Sequence, residues 1–170
     1  MDYTLTIMRM KTFCVVGGMI LITGCEKRLP VPSGGSPGVP HVGWVIMVGD
    51  RENPDREFVC QSDPRTDCVM PPSRPDTQAF TNAHFYFHSG KVDTKYTGTI
   101  EIGFLEGSKP HVVAVNTTVK GGASAGNSSV SGIVSSNAGR YPMTIAVVAE
   151  NGATREIRES VPVTVRPLNQ

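Results

Sequence analysis

The alternation of apolar and polar positions divides this chain into stretches of different character. Phe13 to Ile22 is an apolar run carrying Val15, Val16, Met19, Ile20, Leu21 and Ile22. At roughly ten residues it is too short for a spanning helix, which needs about 20. Gly17 and Gly18 weaken any helix within it. Glu26 to Pro40 has no periodicity at all, and Pro30, Pro32, Pro37 and Pro40 alternate there with Gly34, Gly35 and Gly38. Such a composition predicts a flexible tether that cannot build a core.

From Val42 the period becomes that of β-strands. Val42 to Val48 is a continuous apolar run of the buried type. Glu57 to Cys60 predicts a short strand, and Ala79 to His88 a longer one. In the longer one Phe85 and Phe87 point one way, and His84, Tyr86 and His88 the other. Lys95 to Leu105 places Tyr96, Ile100, Ile102 and Phe104 on one face, and Ser89-Gly90-Lys91 would join it to the preceding strand as a hairpin. Met70 to Asp76, with Pro71, Pro72 and Pro75, predicts an irregular connection. His111 to Val119 predicts a strand, Gly121 to Ser129 a loop, and Val130 to Val134 a short strand. The last signal is the clearest. Tyr141 to Glu150 and Ala153 to Val165 are β-rich and flank Asn151-Gly152, the sequence of a type I′ hairpin turn. Ile157, Val161, Val163 and Val165 form the inward row, Arg155 and Glu159 interrupt it, and Pro162 points to an edge or a bulge.

About seven or eight short strands without a convincing helix predict an all-β antiparallel sandwich. The segment from Ala138-Gly139-Arg140-Tyr141 through Asn151-Gly152 to Val161-Pro162-Val163-Thr164-Val165 resembles the closing hairpin of immunoglobulin-like and PKD-like bacterial domains. There Gly-x-Tyr opens the penultimate strand and a Val-x-Val segment ends the fold. The resemblance implies an immunoglobulin-like sandwich and carries no chemistry of its own.

The front of the chain carries a second resemblance. Arg9 and Lys11 precede the apolar run, and Ile22-Thr23-Gly24-Cys25 ends it. A basic n-region followed by a short apolar segment is a secretory signal. Ile22 to Cys25 is similar to the lipobox of bacterial lipoproteins, a branched apolar residue, two small residues and a cysteine. The resemblance implies that a diacylglycerol is added to the Cys25 thiol and that cleavage follows before it. The expected organisation is a signal peptide over 1–24, a tether over 25–41 and a β-sandwich over 42–170. Glu26 follows the cysteine where an inner-membrane lipoprotein of the enteric type has Asp. The resemblance therefore favours the outer membrane of the cell envelope, with the palmitate-type anchor as the contact to the membrane.

Charge narrows the partners. The chain holds 16 Lys and Arg against 15 Asp and Glu. Removing Arg9, Lys11 and Asp2 with the signal leaves a formal charge of zero. No basic stripe for nucleic acid and no polybasic patch for lipid headgroups is present in the sequence. Of the four cysteines, Cys14 lies in the signal and Cys25 is the acylation site. Cys60 and Cys68 remain as a pair in a protein bound for an oxidising compartment, and a disulfide is expected. The polar loop between them, with Asp63, Arg65 and Asp67, suggests a presented feature rather than a core staple, with Arg65 as a contact.

Chemistry is sparse. His84 and His88 lie about 13 Å apart along a strand at ~3.3 Å per residue, too far to share one ion. His41 and His111 could join them only through folding. Asp50 to Gln61 lacks the Gly and Glu of a calcium loop, having Asp55 and Gln61 in those places. No Gly-x-Ser-x-Gly elbow and no phosphate-binding Gly-rich motif occurs. The sequence therefore predicts no cofactor, no metal and no catalytic residue. Its candidate recognition surface is His84, Tyr86 and His88 together with Arg65. The expected function is a non-enzymatic envelope module that binds another envelope protein or a glycan. The alternative is an envelope hydrolase or metalloenzyme with a site assembled from scattered residues.

Overall fold

The computed structural model describes residues 38–63, 65–122 and 124–167. The expected signal peptide over 1–24, Cys25 and the expected tether as far as residue 37 lie outside them. The described chain is an all-β sandwich of nine strands: β1 His41–Gly49, β2 Glu57–Gln61, β3 Cys68–Met70, β4 Phe80–His88, β5 Thr94–Ile102, β6 His111–Val119, β7 Ser124–Ile133, β8 Gly139–Glu150 and β9 Thr154–Val165. One sheet has the order β2-β1-β4-β7 and the other β3-β9-β8-β5-β6. All pairings are antiparallel except β3 on β9, which is parallel. The first part of the chain is thus split between the two sheets, with β1 beside β4 and β3 beside the last strand. Together with β9-β8-β5-β6 facing β1-β4-β7, this is an immunoglobulin-like arrangement.

The core forms where the inward rows of the two sheets meet. Trp44, Ile46, Phe85 and Phe87 come from the first sheet. Tyr96, Ile100, Ile102, Met143, Ile145, Val161 and Val163 come from the second. The periodicity of β4, β5 and β9 placed these residues correctly. β1 is buried on both faces, since Val45 and Met47 are covered as fully as Trp44 and Ile46. Its unbroken apolar run reflects that double burial.

Four local expectations differ from what is observed. Ser89-Gly90-Lys91 is not a hairpin turn but part of a crossing between sheets, because β4 and β5 belong to different ones. Their apolar rows meet face to face, with the rings of Phe87 and Tyr96 5.1 Å apart. The predicted loop over Gly121 to Ser129 is mostly strand β7, paired with β4 from Ser124 onward. Backbone hydrogen bonding offered by β4 overrides the weak strand propensity of Gly, Ser and Asn. The turn between β8 and β9 holds three residues, since Glu150 pairs with Thr154. Only Gly152 among them has positive φ, at 92°, so the turn is not type I′. Finally, Pro162 stands opposite Pro142 within the β8–β9 ladder rather than at an edge. The Pro142 carbonyl accepts from the Gly103 N–H on the β5 side, so neither proline is asked to donate to the other.

Two tyrosines fix the frame. At the start of β8 the Tyr141 hydroxyl donates to the Asn137 carbonyl at 2.9 Å, the tyrosine corner of immunoglobulin-like sandwiches. Tyr96 reaches across the core instead. Its hydroxyl donates to the His88 carbonyl at 2.6 Å and stands 3.3 Å from the His41 carbonyl, tying β5 to one end of β1 and β4. Burial pushes the Tyr96 hydroxyl up to about 12, against smaller lowering effects from the His41 carbonyl contact and Arg155. The native state thus keeps this proton after the unfolded chain, at about 10, has lost it. The stabilisation is complete below pH 10 and is lost as pH rises toward 12, by about 2–3 kcal/mol. Tyr96→Phe is expected to cost about 1–3 kcal/mol at neutral pH, because the His88 carbonyl loses its donor. In urea denaturation the gap between wild type and Tyr96→Phe should narrow between pH 10 and pH 12. A constant gap would contradict this role for the hydroxyl.

Candidate recognition surface

The β1–β4 ladder places the predicted row on the outer face of the four-stranded sheet. His88 stands opposite His41, Tyr86 opposite Gly43 and His84 opposite Val45. The row is not a set of free side chains. His84 is 5% exposed, and its Nε2 donates to Asp55 Oδ1 at 3.0 Å. Asp55 belongs to the β1–β2 connection, which therefore reaches over this face. Burial, and then the charge of Asp55, raise the Tyr86 hydroxyl above its ordinary value.

Folding brings His41 to His88, and their rings stack at 4.3 Å with planes 9° apart. The Nδ1 of His41 donates to the Val39 carbonyl at 3.1 Å, which fixes its tautomer. Its Nε2, like the Nδ1 of His84, is buried without a hydrogen-bond partner. His111 does not join them, for it begins β6 in the other sheet. Among the described residues no group of three or more His, Cys, Asp or Glu side chains gathers in a way that could hold a metal ion.

Cys60 and Cys68 are disulfide-bonded. The bond is a core staple, although the loop that it closes is exposed at Asp63, Arg65, Thr66 and Asp67. Cys60 is fully buried and Cys68 3% exposed, and both belong to the core cluster. Cys60 lies in β2 of one sheet and Cys68 in β3 of the other, so the bond joins the two sheets along one side of the sandwich. The expectation failed for the bond and not for the loop: the short spacing of the two cysteines was read as a local fastening when it spans two sheets. A connection this short can still pass from one sheet to the other where both end.

Arg65 lies beside this bond and is engaged within the chain. Its guanidinium is 3.5 Å from Glu159 Oε1 and donates to the Ser160 carbonyl at 3.5 Å. The other carboxylate oxygen of Glu159 accepts from the Trp44 indole N–H at 3.3 Å. Glu159 was legible only as an interruption of an apolar row. The signal that could have found its role is the single tryptophan, since a buried indole N–H needs an acceptor.

The edges of the sheets differ in how they are finished. β3 has three residues, and β2 has five with a register shift against β1. β7 shifts register against β4 near its start. β6 has nine residues in unbroken register with β5, and contains neither charge nor proline. His111, Val112, Ala114, Asn116 and Thr118 along it are exposed. Val112, at 61%, is the most exposed of the large apolar side chains described. Natural edge strands are usually blunted by shortness, bulges, charge or proline; β6 has none of these.

Comparison with protein-family models, curated proteins and solved structures gives no match for this chain.

Proposed function

We propose that this chain is a lipid-anchored protein of the bacterial cell envelope, acylated at Cys25, whose sandwich binds or supports another envelope component without catalysing a reaction. The observation that carries the reading is the buried bond between Cys60 and Cys68. A disulfide built into the core belongs to an oxidising compartment, and such compartments lie outside the cytosol. The basic residues Arg9 and Lys11, the short apolar run and the Ile22-Thr23-Gly24-Cys25 sequence supply the route there. Glu26 after the cysteine favours the outer membrane. The unblunted β6 edge supports a binding role, because a bare edge recruits a partner strand through its backbone.

Cells fed a palmitate analogue should label the wild-type chain and leave Cys25→Ala unlabelled. The same substitution should move the protein from the membrane fraction to the soluble fraction of the envelope. Equal labelling of both forms would refute acylation at this residue.

A further inference from the structure

We infer that the β6 edge is a self-association site, at which two copies of this chain pair β6 against β6 in antiparallel register. The inference deepens the binding role proposed above by naming the partner; its register comes from sheet geometry, and the strength of the contact rests on the anchor of that reading.

β6 ends the five-stranded sheet, and its second row of backbone donors and acceptors faces away from β5. A partner strand must satisfy these groups, match inward face to inward face and bring no opposed charge. β6 itself meets all three conditions. With Val115 opposite Val115 of the second copy, the inward row aligns Val113 with Thr117, and the outward row aligns Val112 with Thr118 and Ala114 with Asn116. No charged residue lies within the paired segment. Next to it, Lys120 is already held by Asp93 at 2.9 Å. The exposed Val112 gains cover from the partner's strand end. The product is one continuous ten-stranded sheet across two sandwiches.

A single strand pairing buries a surface at the low end for specific interfaces. Anchoring of both copies in one membrane raises their effective concentration and strengthens so small a contact. A neutral edge fits this arrangement, since charge on β6 would repel its own copy.

The test uses full-length chains bearing two different tags, co-expressed and extracted from membranes in mild detergent. Wild-type copies should be recovered together on either tag. Ala114→Lys with Asn116→Lys in both copies puts lysine opposite lysine, and joint recovery should fall by about tenfold. Pairing that lysine copy with an Ala114→Glu, Asn116→Glu copy should restore joint recovery to the wild-type level, which a merely misfolded variant would not do. Separate recovery of the wild-type copies overturns the inference. So does undiminished pairing of the lysine copies, a failure of the mixed pair to restore it, or a different protein held at the edge in place of the second copy. Loss of Cys25 labelling with pairing retained would refute the anchor alone.

Discussion

Replacing Cys60 and Cys68 together by alanine is expected to lower stability by about 3–5 kcal/mol, a fall of roughly 10–20 °C in melting temperature. Closing so short a loop accounts for about 2–3 kcal/mol in the chain-entropy account. The remainder comes from the place of the sulfurs. They fill core volume between β2 and β3, so their removal leaves a cavity there. The serine pair separates this reading from that of a surface loop fastening. Serine at these positions buries two hydroxyls, each costing about 1–3 kcal/mol if unpaired. The serine pair should therefore melt well below the alanine pair. For a bond in a solvated loop the two variants would melt together. Equal melting temperatures would mean that the sulfurs contribute only through loop closure.

The same bond explains why one side of the sandwich needs no further strand. At the β2–β3 side the sheets are short, and a covalent link holds them together. Arg65, Glu159 and Trp44 continue the closure beside it with an ion pair and an indole hydrogen bond. At the opposite side the outer strands are β6 and β7, and the chain passes between them through residues 120–123. The two long edges therefore lie on the side without the staple.

The strands that read clearly from sequence are those with one apolar face. β5 and β9 alternate because water lies on one side and the core on the other, and β4 alternates because its covered outer row, Asn82, His84, Tyr86 and His88, is polar, so period two survives in the residues. β1 was legible for the opposite reason, as an unbroken apolar run covered on both faces. β7 was not legible, because Ser124 to Ser129 form a strand only where β4 offers them a register. Nothing local in Gly, Ser and Asn encodes that. The site followed the same rule. The faces of His84, Tyr86 and His88 were readable from alternation, but their partners were not. Asp55 comes from 29 residues before His84. His41 meets His88 only because β1 and β4 run antiparallel from matched ends. The Tyr141 corner was readable in outline from Gly139-Arg140-Tyr141, since it closes within a few residues of chain.

Gly98→Ala is expected to cost about 3–5 kcal/mol, as much as the loss of the disulfide. Gly98 lies in the middle of β5, between Val115 of β6 and Val147 of β8. Its φ is +144°, a conformation that a side chain strains. A Cβ there would stand 2.2 Å from the Ala146 carbonyl oxygen and 2.7 Å from the Val147 Cα. Both are backbone atoms of the neighbouring strand, so no rotamer change relieves the contact. Either β5 or β8 must move, and they are adjacent inner strands of the five-stranded sheet. Their shift would disturb Ile100 and Ile145, which are paired across the same ladder and fully buried. Gly152→Ala is the matched control. Gly152 also has positive φ, at 92°, but nothing lies within 4 Å of its Cβ position. Only the conformational cost applies there, about 1–2 kcal/mol. Denaturant titration of the two variants should therefore show Gly98→Ala losing at least twice as much stability as Gly152→Ala. Equal losses would mean that β8 yields to the added carbon and that the close approach of the strands at Gly98 carries no energetic weight.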